Sequence, residues 1–294
     1  MGTSIPREDR TGAGLLLMCL AVGFFTCIDT SAKWLILFGL PTLQVVFARY
    51  CGHFILALAF YVPREGRAAL VSNAPVKQLL RSLFLLGSTV MNFMALKHLP
   101  ITITTTIFFA GPIVTSILAI PILGEKVGLR RIIAVCVGFS GVLVVIQPWG
   151  TAFHPAMFFS LAGLMCASLY FIMTRLLSGV EANATQQIWS SGIAMTALLP
   201  FALQNWVWPD TTQAWIIFCL IGFFGATGHT IATIAHRWAD ASLLAPVVYI
   251  QVFLASLAGI LVFNTWPTLW TLAGGAIIIA SGLYIWQRER SLKH

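Results

Sequence analysis

The stretch that decides the fold is ITITTTIFFAGPIVTSILAIPILGEKVGLRR, residues 101–131. From Ile101 to Leu123 no side chain carries a charge, and the run then ends on Gly124-Glu125-Lys126 and Arg130-Arg131. A stretch of that length matches one crossing of a bilayer, which takes about 20 residues. Basic residues at its end mark a cytoplasmic edge. The same pattern recurs along the chain. Ten apolar segments stand at 14–37, 41–62, 78–97, 101–123, 130–147, 154–177, 184–204, 213–235, 241–263 and 268–287. Turn or charge signals separate them, among them Gly39-Leu40-Pro41, Pro63-Arg64-Glu65-Gly66, Pro148-Trp149-Gly150 and Trp266-Pro267.

Composition agrees with this pattern. The 294 residues are 59% apolar and only 9% charged, against about 25% charged in a soluble domain. Mean hydropathy is +0.90. The chain cannot coat a water-facing surface, which excludes a disordered protein, a coiled coil, a disulfide scaffold and an ordinary cytosolic enzyme. The expected fold class is an all-α polytopic membrane protein with ten transmembrane helices and the lipid bilayer as its solvent. The net charge of +8 reads as membrane orientation, with no nucleic-acid partner. Arg7 and Arg10 ahead of the apolar run Leu15–Ile28 resemble a signal peptide. The run continues past Lys33 without a clear cleavage site, so it reads as an uncleaved first span. The six cysteines form no CxxC pair, and no metal or cofactor motif is present.

Charge placement sets the sides. With the N-terminus cytoplasmic, one set of loops and both tails hold Arg7, Arg10, Arg64, Arg67, Lys77, Arg81, Lys126, Arg130, Arg131, Arg175, Arg237, Arg288, Arg290 and Lys293, and the opposite loops hold only Lys97. Both termini are therefore expected inside.

The chain also repeats. Ala95-Leu96-Lys97-His98 aligns with Ala235-His236-Arg237-Trp238 at an offset of 140, and Gly141-Val142-Leu143 aligns with Gly282-Leu283-Tyr284 one residue out of step. Five segments per half is an odd number, so the second half enters the bilayer upside down. Inverted repeats of this kind are a transporter signature, with the substrate site between the halves. The division runs 1–13 (cytoplasmic tail), 14–147 (first five-helix repeat), 148–153 (linker), 154–287 (second five-helix repeat) and 288–294 (cytoplasmic tail).

Four stretches resemble a known family. Gly111-Pro112-Ile113-Val114-Thr115-Ser116, running to Leu123-Gly124-Glu125-Lys126-Val127, is similar to the end of the fourth helix in the drug/metabolite transporter superfamily, EamA type. Gly138-Phe139-Ser140-Gly141-Val142, Asp29-Thr30-Ser31-Ala32-Lys33-Trp34 and Ser281-Gly282-Leu283-Tyr284 resemble its fifth, first and last helices. One departure stands out: Asn264-Thr265 occupies a place where the second repeat of the family often carries Glu. The resemblance implies a ten-helix inner-membrane carrier of small metabolites. The first four helices of each half would surround a cavity, and helices five and ten would pack outside and support a homodimer. Riboflavin or a similar planar heteroaromatic compound is the first expected substrate. Amino acids, nucleoside-type metabolites or drugs, as exported substrates, are the alternative.

Polar residues inside the spans are the candidate substrate pathway. Charges there cost about 2.5–3.5 kcal/mol each on insertion scales and tend to face a cavity or a partner. Asp29 and Lys33 are four apart and share a helix face, and Arg49 and His53 share another on the returning segment. The expectation is a network of Asp29, Lys33 and Arg49 that serves as a polar gate or as a structural tie. Thr89 and Asn92 on the third segment and His229 on the eighth occupy repeat-related positions. Pro112 should interrupt the fourth segment near Phe108, and its counterpart region holds Pro246, Tyr249, Gln251 and Phe253. With Tyr170, these aromatics and amides suit a flat, partly polar molecule. The rival reading as an intramembrane serine protease rests on Gly138-Phe139-Ser140-Gly141 with His229 as base. Nothing else in the sequence supports an enzyme, and Ala280 stands where the repeat would carry the mate of Ser140.

Overall fold

The computed structural model describes residues 11–123, 129–150, 153–177, 179–238 and 244–291. Among these the chain is helical throughout and without a strand. The first half holds α1 (Thr11–Leu37), α2 (Thr42–Glu65), α3 (Pro75–His98), α4 (Ile101–Phe108), α5 (Gly111–Leu123) and α6 (Leu129–Ile146). The second holds α7 (Met157–Leu176), α8 (Asn183–Gln204), α9 (Thr212–Trp238), α10 (Ile250–Phe263) and α11 (Leu269–Ser291), with a short 3₁₀ turn, Ala245–Tyr249, leading into α10.

Every apolar segment read from the sequence carries helix. Seven helical stretches are long and apolar enough to cross a membrane, namely Gly12–Leu37, Thr42–Leu70, Pro75–His98, Ile101–Ile122, Met157–Thr174, Thr212–Ala235 and Leu269–Gln287. Two more apolar helices, Ile132–Ile146 and Val247–Phe263, are shorter. The helix α8 has the length but stands outside the seven, because polar residues lower its hydropathy, among them the buried Thr185, Gln187, Ser190 and Ser191. The fourth segment divides at Phe109-Ala110, just ahead of Pro112, since a proline ring displaces the carbonyl one turn before it. Glu125 and Lys126 lie outside the described residues, as do Arg7, Arg10 and Lys293.

Local chemistry sets the turns. Gly39, at φ 113°, reverses the chain between α1 and α2. Pro75 opens α3 at a position where no backbone N–H is required. Asn264 adopts the left-handed conformation at φ 52°, so its N–H reaches the Ile260 carbonyl and the Thr265 N–H reaches Gly259. That closure ends α10 and gives a structural use to the residues that depart from the family pattern.

The packing is pseudo-symmetric. Exchanging the halves turns the α1/α9 contact into α7/α3 and the α2/α9 contact into α8/α3, while α2/α8, α4/α10 and α6/α11 map onto themselves. Two of the self-mated pairs run antiparallel. Along α2 and α8, Gln44 meets Val207, Phe54 meets Gly192 and Tyr61 meets Asn183. Along α6 and α11, Ala134 accepts from Ser281, and Gly141 lies against Gly274 and Ile278. The fifth and tenth segments thus pack on each other within one chain. Two clusters of buried apolar residues form the core, one around Leu35, Tyr50, Phe93 and Leu96, the other around Ile107, Ile113, Val142 and Ile278.

Candidate functional site

Six of the residues singled out in the sequence meet between the halves. Arg49 on α2 is buried, and its Nη1 donates to Thr89 Oγ1 on α3 at 2.8 Å. Its Nη2 lies 3.4 Å from His229 Nε2 on α9. Tyr50 closes the group from α2, with its hydroxyl 2.8 Å from Thr89 Oγ1 and its ring 4.7 Å from the guanidinium carbon. His53, one turn beyond Arg49, is buried and stacks on His229 at 5.7 Å and 14°. Phe25 of α1 also packs against the His229 ring, at 5.1 Å. Asp29, also on α1, accepts from Asn92 Nδ2 of α3 at 3.0 Å and lies within electrostatic reach of Arg49. The Gln187 side chain of α8 lies beside the His53 ring. Five helices, three from the first half and two from the second, therefore contribute to one polar cluster. Beside it, His53, Thr227, Thr230 and Tyr61 border a 260 Å³ cavity between α2 and α9.

Local sequence explains the approach of the helices. At Gly52 and Gly222 the backbones of α2 and α9 touch, with no room for a side chain on either. At Gly228 the α9 backbone receives Phe24 and Phe25. Small residues that admit close backbone contact are the usual means of packing helices in lipid.

The expected Asp29–Lys33–Arg49 network takes another form. Lys33 is buried, but its Nζ donates to the Leu96 and Leu99 carbonyls at 2.9 and 2.5 Å, and no ion pair joins it to Asp29 among the described residues. It satisfies acceptors that the end of α3 leaves open. Replacing Lys33 with methionine is expected to cost about 1.5–3 kcal/mol of stability through those lost charged bonds, read as a lower melting temperature in detergent. Tyr170 stands apart from Arg49 and belongs to a second cluster. There Arg81 Nη2 donates to the Tyr170 hydroxyl at 2.9 Å, Nη1 to Ser190 Oγ at 2.7 Å, and Nε to Thr174 Oγ1 at 2.8 Å. Phe108 packs on α7 at Gly163. Tyr249 meets Phe109 edge-on at 5.4 Å and presses on Gly282, and Gln251 is half-buried on α10. Ser140 bonds back to the Val137 carbonyl on the exposed face of α6, while His229 sits in the Arg49 cluster.

Arg81 is the residue that sequence reasoning misplaced. It counted as a loop charge that sets orientation, yet it is buried inside α3. The available signal was spacing, since Gln78, Arg81, Ser82, Thr89 and Asn92 follow one helical stripe.

A helical membrane protein built from two pseudo-symmetric halves, with polar residues gathered between them, has the architecture of a membrane transporter. The EamA-like transporter family matches the chain twice, over residues 12–147 and 154–287, and the protein belongs to that family. It is similar to the S-adenosylmethionine uptake transporter of Rickettsia prowazekii (strain Madrid E), with 28% identity over 261 residues covering 87% of each chain. The same-named protein of Rickettsia felis (strain ATCC VR-1525 / URRWXCal2) is 29% identical over 97% of this chain and 96% of its own. The riboflavin transporter of Rhizobium johnstonii (strain DSM 114642 / LMG 32736 / 3841) is 27% identical over 98% of this chain and 95% of its own. A solved structure described only as "Crystal structure of protein" shares the fold at a TM-score of 0.63 and 17% identity, over 97% of this chain and 98% of that one.

Proposed function

We propose that the protein is a secondary carrier that moves a planar heteroaromatic metabolite across the inner membrane by alternating access. The carrying observation is the cluster of Asp29, Arg49, Thr89, Asn92, His53 and His229, to which helices of both halves contribute. A flavin and an adenine are both planar heteroaromatic groups, and they figure in the two substrates for which the relatives are named.

Alternating access needs two ends that can open in turn, and cross-half bonds stand at both. At one end Ser72 Oγ and the Ala74 N–H donate to Glu181 Oε1, Asn73 donates to the Val180 carbonyl, and Trp189 Nε1 donates to Leu70. At the other, the buried Gln44 amide pairs with both backbone groups of Val207, at 2.6 and 2.9 Å. In this reading the chain spans the membrane ten times with both termini cytoplasmic. The repeats 14–147 and 154–287 are inverted, with 148–153 as linker and 1–13 and 288–294 as tails. The exposed faces of α6 and α11 are available to a second copy. Antiparallel mated helices and the one-sided basic residues support the inversion.

The test is uptake. A riboflavin auxotroph without its own transporter should grow on low riboflavin when it expresses this protein, and proteoliposomes should accumulate labelled riboflavin or S-adenosylmethionine. No rescue and no uptake of either compound would refute the reading.

A further inference from the structure

Exchanging the halves also carries one end of the molecule onto the other. The α2–α3 connection, residues 66–74, is held by residues flanking the start of α8, and the α8–α9 connection, residues 205–211, is held by the start of α2. The two clasps are repeat mates, but their chemistry differs. At one, the Gln44 amide pairs with Val207 through two neutral bonds of 2.6 and 2.9 Å. At the other, Glu181 Oε1 accepts from Ser72 Oγ at 2.5 Å and from the Ala74 N–H at 2.7 Å. Asn73 and Trp189 add a bond each, to the Val180 and Leu70 carbonyls, both at 3.0 Å.

Glu181 acts entirely across the seam. Ala74 stands at the N-cap of α3 and has no side chain with which to cap it. The carboxylate of the other half takes that place, where the positive end of a helix favours a negative charge. Glu181 is buried and its Oε2 has no partner, so both bonds of its side chain run to the first half. Bonds to an ionised group are stronger than neutral ones. Four bonds, two of them to a carboxylate, close the Glu181 end, and two neutral bonds close the Gln44 end. The Glu181 end is the more firmly shut.

We propose that Glu181 is a latch that sets the resting direction of the carrier. While its carboxylate caps α3, the Glu181 end stays closed and the Gln44 end opens more readily. With both termini cytoplasmic, the carrier then rests open to the outside. This rests on the carrier reading and its orientation, and adds to it which end opens first.

The experiment uses the full-length protein with Ala226→Cys as its single cysteine, in membrane vesicles of both orientations, with an impermeant thiol reagent. Ala226 lines the cavity beside His53 and belongs to neither clasp. The expected result is labelling about tenfold faster from the outside than from the cytoplasmic side. Glu181→Gln keeps the shape and loses the charge, so it should move that ratio about tenfold toward the cytoplasmic side. Ser72→Ala should move it the same way by less, and Gln44→Ala the opposite way. A role confined to folding would lower the melting temperature and leave the ratio unchanged. An unchanged ratio in folded Glu181→Gln and Ser72→Ala overturns the proposal. So does a parent that labels faster from the cytoplasmic side, or a shift of Glu181→Gln and Gln44→Ala in the same direction. In those three cases, uptake of riboflavin or S-adenosylmethionine by the parent leaves the carrier reading standing. A parent that takes up neither compound, with labelling from one side only in every variant, removes the carrier reading and the latch with it.

Discussion

Arg49→Ala is expected to lower transport by roughly tenfold to a hundredfold while leaving the protein folded. The guanidinium links α2 to Thr89 of α3 and to His229 of α9, so it spans the junction between the halves. A hydrogen bond to a charged group contributes about 1.5–3 kcal/mol, and each 1.4 kcal/mol is about a factor of ten in affinity. The fold should survive, because Thr89 keeps Tyr50 and the Leu85 carbonyl as partners. Arg49→Lys should recover little, since one ammonium on a flexible stem cannot reproduce the planar fork. Initial uptake rates and melting temperatures of the reconstituted variants check both statements. Wild-type uptake by Arg49→Ala would make the cluster a purely structural tie.

The second large effect is expected at the seam of α2 and α9. A Cβ on Gly222 would lie 2.6 Å from Gly52 Cα, and one on Gly52 would lie 2.9 Å from Gly222 Cα. The obstacle is backbone and cannot rotate away. Overpacking typically costs about 1–3 kcal/mol, and Gly222→Val should reach the upper end or prevent assembly. The expected observations are loss of a monodisperse peak in detergent, a lower melting temperature and loss of transport. Gly23→Ala is the matched control, because nothing lies within 4 Å of its added methyl. If Gly222→Val melts like the parent, the close contact of α2 and α9 is wrong.

The apolar helices were legible because length and hydropathy act locally. The division of the fourth segment was legible for the same reason, as Pro112 has no backbone N–H to donate whatever surrounds it. Partner choice was less legible. The spacing of Asp29 and Lys33 correctly put both on one face of α1, but spacing cannot say what that face meets. It meets the end of α3, whose open carbonyls take Lys33, and the Asn92 amide, which takes Asp29. Arg81 was hidden by a related limit. A charge near the start of an apolar run reads as a loop residue unless the helix is known to begin earlier, and α3 begins at Pro75. Repeat symmetry did point to Thr89 and His229 together, since related positions in an inverted pair converge on the axis. It could not distinguish those from Tyr249, which occupies a related helix but packs outward against Phe109 and Gly282.

The central claim is that substrate binds between the halves and is exposed to each side in turn. Single cysteines at Ala226 and Thr230, which flank His229 and line the cavity beside His53, test it most directly in a background with the six native cysteines replaced. The account predicts that a membrane-impermeant thiol reagent labels these positions from either side of the membrane, and that substrate slows the labelling. Labelling from one side only, at a rate substrate does not change, would contradict it.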